Sequence, residues 1–135
     1  MRWLMVVAAA LAIGGVGSAI VLAGQRAAAP VEISIRYSSF VPGTIEVRAG
    51  QAVAFVLSNH DPIDHEWIVG DEDVHDRHRT GTEPHHASRP TEVSVPAGEV
   101  RGTTVVFAEP GTVRFVCHLP GHEAYGMTGT VVVRP

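Results

Sequence analysis

From Val31 onward, apolar and polar residues alternate in short runs broken by turn-forming residues. In "VEISIRY", Val31, Ile33, Ile35 and Tyr37 fall on one side of an extended chain and Glu32, Ser34 and Arg36 on the other, as in a half-buried strand. "TIEVRAG" repeats the pattern with Ile45 and Val47 inward, and "QAVAFVLSN" is more uniformly apolar, as a central strand is. "HEWIVG", "EVSVPAGEV", "GTTVVFAE", "TVRFVC" and "MTGTVVVRP" follow, separated by turn clusters at Asn59 to Pro62, Pro96-Ala97-Gly98 and Glu109-Pro110-Gly111. About eight short strands at this spacing predict an all-β sandwich of two antiparallel sheets, with no internal repeat and no soluble helix.

One segment breaks the rhythm. "DEDVHDRHRTGTEPHHASRP", Asp71 to Pro90, is polar throughout and carries His75, His78, His85 and His86 among several carboxylates. Such a composition suits a second copper or zinc ion. It equally suits a solvated loop, and with no strand or helix pattern to fix the side chains relative to one another, a His-rich loop over 71–90 is the expectation.

Residues 1–29 read differently. Trp3 to Ala23 is free of charge and long enough for a hydrophobic helix across a bilayer, yet Ala27-Ala28-Ala29 offers a small-residue cleavage site. Membrane anchor and cleaved signal peptide both remain open, and both export the domain at 30–135. Every acid lies after residue 31, so the domain is net acidic, and nucleic acid is not an expected partner. Export also bears on the single cysteine, Cys117, which has no partner for a disulfide within the chain. Such a thiol is either buried and inert or occupied by a metal.

The alternation in "TVRFVC" puts Val113, Phe115 and Cys117 on the core face and Arg114 and Val116 on the other. Pro120-Gly121 then turns the chain, with His122 five residues after Cys117 and Met127 five after His122. A thiolate, neutral imidazoles and a thioether select copper, two His and one Cys with a distant Met being the set of electron-transfer copper sites; zinc takes Cys and His but rarely Met. The missing ligand is then a second histidine, His60 or His65. His65 is favoured because it opens an apolar strand, whereas His60 sits in a turn beside Asp61-Pro62. His118 falls on the opposite face and is expected to be partly exposed. Trp67 is expected to be packing.

With "NHDPIDHEWIVG" and "FVCHLPGHEAYGM" in view, the stretch from Val31 to Pro135 resembles the cupredoxins, the small blue copper proteins typified by plastocyanin and azurin. The resemblance implies a Greek-key sandwich with one copper ion at its end, held by His65, Cys117, His122 and Met127, and with the His122 edge near the surface. In the family the residue after the first histidine, here Glu66 where plastocyanins have Asn, bonds the cysteine sulfur through its backbone N–H. The ligand spacing also matches the mononuclear site of multicopper oxidases, but Val116 replaces the first histidine of their His-Cys-His and the chain has no His-x-His pair, so oxidase chemistry is not expected. The expected function is carriage of single electrons between exported redox proteins that dock near His122, with no substrate and no enzymatic turnover. The alternative is a copper buffer or delivery protein outside the cytoplasm.

Overall fold

The computed structural model describes residues 28–81, 86 and 89–135. The hydrophobic N-terminal helix and the choice between anchor and signal peptide concern residues outside these. Among the described residues, no helix is long and apolar enough to cross a membrane.

The described residues form nine strands and one helix: β1 Val31–Arg36, β2 Ser39–Val41, β3 Thr44–Arg48, β4 Ala52–Asn59, β5 His65–Gly70, α1 Glu72–Thr80, β6 Glu92–Val95, β7 Val100–Val106, β8 Gly111–Val116 and β9 Thr128–Arg134. The strands make two sheets, in the orders β2-β1-β4-β7 and β3-β9-β8-β5-β6. Alternation decides which side chains meet between them. Ile33 and Ile35 of β1, Ile45 and Val47 of β3, and Val131 and Val133 of β9 all enter one core. Its centre is aromatic, with Phe55 against Trp67 at 5.0 Å between ring centroids and Phe40 edge-on to Phe115 at 5.2 Å. Directly across from Phe115 in the β8–β9 register stands Gly129, whose missing side chain leaves room for that ring.

The sheets are mixed rather than purely antiparallel, because β1 pairs parallel with β4 and β3 parallel with β9. A period of two carries no information about strand direction. The parallel pairs arise because the chain leaves the first sheet after β2, places β3 in the other, and returns with β4.

Three local expectations also change. Tyr37 is not inward but 91% exposed, since β1 ends at Arg36 and Tyr37 and Ser38 (φ 53° and 52°) turn the chain into the short strand β2. The 71–90 insertion is not a loop throughout, because Glu72–Thr80 is helical. Its start follows standard capping: the Asp71 carboxylate accepts from the Val74 N–H, Glu72 and Asp73 sit in the first turn, and Arg77, His78 and Arg79 in the last. Val116, assigned to the polar face, is fully buried together with its register neighbour Ile68, yet neither belongs to the core between the sheets. Helix α1 packs on β5 and covers that outer face, with Val74 seated against Gly70.

Candidate metal centre

Strands β5 and β8 are antiparallel neighbours, so the start of β5 and the end of β8 lie at the same end of the sandwich. His65 opens β5 and Cys117 directly follows β8. Leu119-Pro120-Gly121-His122 then makes a tight turn in which the His122 N–H donates to the Leu119 carbonyl at 3.0 Å, with Gly121 at φ 87°. Pro at the second position and a positive-φ glycine at the third are what a type II turn requires. The Met127 N–H donates to the His122 carbonyl at 3.0 Å, and the Cys117 N–H to the Met127 carbonyl at 3.1 Å, so backbone bonds close the loop.

Three of the four residues expected to hold the metal converge. His122 Nδ1 lies 3.2 Å from Cys117 Sγ and 3.2 Å from His65 Nδ1, and His65 Nδ1 lies 4.0 Å from Cys117 Sγ. Imidazole nitrogens each about 2.0–2.1 Å from a common metal stand ~3.5 Å apart in a trigonal arrangement, so the triangle has the right size. Met127 is fully buried in the same core cluster as Cys117. His60 is exposed on the turn and stands apart from this group. The donor set therefore fits copper: one thiolate-forming sulfur, two imidazoles, and a buried thioether residue closing the loop.

Burial pushes the Cys117 thiol up to about 11, against the opposing pull of the Glu66 and Leu119 amides. A metal must displace that proton, which links binding to pH. Burial, then the neighbouring His65, lowers the pKa of His122, leaving its ring neutral and able to donate a lone pair. The Glu66 N–H reaches Cys117 Sγ at 3.5 Å, as the family resemblance implied.

One contributor escaped the sequence reading. His65 Nε2 donates to Asp61 Oδ2 at 2.9 Å, which fixes the tautomer and turns Nδ1 towards Cys117 and His122. The same carboxylate accepts the Tyr37 and Ser38 amides at 2.7 and 2.8 Å. Burial alone would raise its pKa, but the Ser38 and Tyr37 amides and His65 outweigh it and hold the carboxyl below its ordinary value. Asn59 fixes the loop that carries Asp61, its side-chain amide donating to the Ile63, Val95 and Pro96 carbonyls and its oxygen accepting the Asp61 N–H. The only hint in sequence was an Asn-x-Asp-Pro turn. Asp61→Asn is expected to weaken copper binding about 10–100-fold while the far-ultraviolet dichroism stays unchanged. A competitive chelator titration reads this; equal affinities would reduce Asp61 to a turn former.

His118 is not the partly exposed residue expected. Its side chain is 2% exposed, its N–H donates to Glu66 Oε1 at 2.9 Å, and its Nε2 lies 3.0 Å from His75 Nδ1. Burial lowers it to about 4. The helix of the insertion is what covers it, so the residue could be placed only once that helix was known. Arg79 of α1 also grips Glu123 of the loop between Cys117 and Met127, Nε at 2.9 Å and Nη2 at 2.8 Å from its two oxygens. This pairing, with Arg114 behind it, outweighs burial and holds the Glu123 carboxyl down to about 2.

A depressed folded-state pKa stabilises above the unfolded value and is lost as pH falls through the folded one. The Glu123 contribution is therefore complete above about 4.5 and disappears towards pH 2. Metal-free protein should show a melting temperature that declines over this interval, and Glu123→Gln should flatten part of the decline. An unaltered slope in the variant would show that other carboxylates govern acid unfolding.

Residues 28–134 match the sequence model of "Copper binding proteins, plastocyanin/azurin family". Two curated relatives share the name "Copper-resistant cuproprotein CopI". The one from Rubrivivax gelatinosus is 38% identical over 99 residues, covering 70% of this chain and 59% of its own length. The one from Pseudomonas aeruginosa is 28% identical over 142 residues, covering 82% of this chain and 78% of its own length. The chain thus spans about three-fifths of the first relative. Among solved structures, a dithionite-reduced auracyanin from Roseiflexus castenholzii superposes with a TM-score of 0.66 at 23% identity, covering 82% of this chain and all of that one. Auracyanin B gives 0.65 at 24% identity, over 78% of this chain and 88% of the other. Auracyanin A from Chloroflexus aurantiacus, described as a "blue" copper protein, gives 0.61 at 23% identity, over 78% and 98%. These structural likenesses establish the sandwich fold.

Proposed function

The chain belongs to the plastocyanin/azurin family of copper-binding proteins, the cupredoxins, and from that premise we propose that it carries single electrons through one copper held by His65, Cys117, His122 and Met127. The observation that carries the reading is the convergence of the Cys117 sulfur and two Nδ1 atoms at the closed end of a rigid sandwich. Copper bound there supplies one reversible electron, as Cu(I) or Cu(II). The protein's part is to hold the ligands in one geometry for both states, so that little reorganises on transfer. Asp61 fixes one imidazole, and the type II turn with its closing backbone bonds fixes the other. Burial of Cys117 keeps water from its sulfur.

His122 is only half-buried, and Pro120, Ala124 and Tyr125 around it are exposed, Tyr125 by 86%. An apolar rim with one ligand edge inside it suits brief docking of exported redox proteins outside the cytoplasm. Residues 1–29 serve on this reading as signal or anchor, and no substrate is turned over.

The name of the curated relatives favours a second reading, copper handling during copper stress. Protein-film voltammetry together with Cu(I) competition separates the two. A reversible one-electron wave with copper retained against a strong chelator supports electron carriage. Rapid surrender of Cu(I) without a reversible wave supports handling.

A further inference from the structure

Beside the copper ligands lies a second group of donors. His78, His86 and Glu92 bring ligand atoms within 4.8 Å of one another. Their side chains are 9%, 4% and 8% exposed, so all three are largely withdrawn from water. Each sits on an ordered element or is pinned to one. His78 belongs to α1 and Glu92 opens β6, while the His86 N–H donates to Ser94 Oγ at 2.8 Å and its carbonyl accepts the Ser94 N–H at 3.2 Å.

The orientation of the rings is informative. His78 Nδ1 lies 2.7 Å from the Val74 carbonyl, which can only accept, so Nδ1 carries the hydrogen and Nε2 is turned to Glu92 Oε2 at 3.7 Å. His86 directs Nε2 at the Glu66 carboxylate, 3.4 Å away, and Nδ1 at the same Glu92 Oε2, 3.8 Å away. Neither approach to Oε2 is short enough for a hydrogen bond. Both are close to the ~3.3–3.6 Å that separates ligands bound about 2.0–2.2 Å from a tetrahedral metal. Arg89 and Arg77 approach the other oxygen, Oε1, at 3.0 and 3.9 Å, leaving Oε2 for the histidines. An imidazole held at one nitrogen by a carbonyl and presenting the other, as His78 is, is how proteins prepare histidine for a metal, while His86 is placed by its backbone bonds to Ser94.

We propose that His78 Nε2, His86 Nδ1 and Glu92 Oε2 form a second metal site, separate from the Cys117 centre, for a divalent imidazole-preferring ion, zinc(II) or copper(II). Two nitrogens and one carboxylate oxygen without sulfur exclude a preference for Cu(I) and admit both divalent ions. The face between α1 and the Leu119-Pro120 turn is an open cavity that includes His78, His86 and Glu92, so an ion and a completing water can reach it. His118 stacks on His78 at 5.7 Å between centroids and follows Cys117 directly, so the residue beside the buried thiol packs against a ligand of the second site.

The test starts from the full chain loaded with one equivalent of copper, whose visible band reports the Cys117 centre throughout. Zinc sulfate and, in parallel, further Cu(II) are titrated by calorimetry, and metal is counted after gel filtration. The expected result is one additional equivalent of either ion, weakened at least about 100-fold by His78→Ala and by the conservative Glu92→Gln, with the visible band intact. Tighter retention of Cu(II) than of zinc, with a second resonance of tetragonal type absent from His78→Ala, would assign the site to copper; the reverse order would assign it to zinc. Failure of both ions to bind, or binding unchanged in both variants, would overturn the proposal. Loss of the visible band in wild-type protein would instead count against the Cys117 centre, so the two assignments fail separately.

Discussion

Serine at position 117 is expected to abolish the intense visible absorption that one equivalent of Cu(II) gives the wild-type protein. The band requires charge transfer from a sulfur to the metal, and Cys117 is the only cysteine of the chain. The geometry gives the substitution a clean reading. Cys117 is fully buried, its sulfur accepts the Glu66 amide at 3.5 Å, and its backbone N–H is already engaged by the Met127 carbonyl. A hydroxyl occupies the same space and keeps those backbone bonds. What changes is softness: a hydroxyl does not ionise near neutral pH and is a poor donor to copper, whereas the thiol, held up at about 11 when metal-free, gives up its proton to the ion. The variant should fold, as judged by circular dichroism, and bind Cu(II) only weakly and without colour. A coloured Cys117→Ser protein would sink the ligand assignment outright.

The largest effect on stability is expected from Gly129→Ala. A Cβ at 129 would come within 2.1 and 2.2 Å of Phe115 Cζ and Cε2 and 2.7 Å from the Gly43 carbonyl oxygen. Neither neighbour can move freely. The Gly43 carbonyl accepts the Thr130 N–H at 2.9 Å, and Phe115 is wedged edge-on against Phe40 and beside Trp67. Overpacking of this kind costs about 3 kcal/mol, a fall of roughly 10–20 °C in melting temperature for a domain of this size. Because Phe115 lies two residues before Cys117 on β8, copper affinity should fall as well. Differential scanning calorimetry of the metal-free variant decides it, and a fall under about 3 °C would mean that the ring finds another rotamer.

Period-two alternation was enough to place the buried residues of β1 and β3, because those strands are covered on one face only. The candidate metal residues stood out in the sequence for a different reason. Cys117 is the single cysteine of the chain and Met127 its one methionine after Met5, and their spacing around His122 leaves few ways to use them. Strand direction and the strand β2 were not legible, since parallel pairing leaves no trace in alternation and three residues are too few for a pattern. Helix α1 was hidden by its composition. It buries its His75 rather than an apolar stripe, so its Asp71 cap and the charges at its two ends were the only local signals. With the helix unseen, the burial of His118 and Val116 and the gathering of His78 and His86 beside Glu92 were beyond reach as well.

The two-residue turn at Tyr37 and Ser38 has a practical use. Both amides end on the Asp61 carboxylate that holds His65, yet both belong to the tip of a different hairpin, in the other sheet. Any change in the electron density of that carboxylate, when the His65 ring binds an ion or the ion changes valence, reaches their protons directly. In a nitrogen–proton correlation spectrum of the reduced, diamagnetic protein these two cross-peaks should act as remote gauges of the metal's state. They would do so from a part of the chain that contributes no ligand at all.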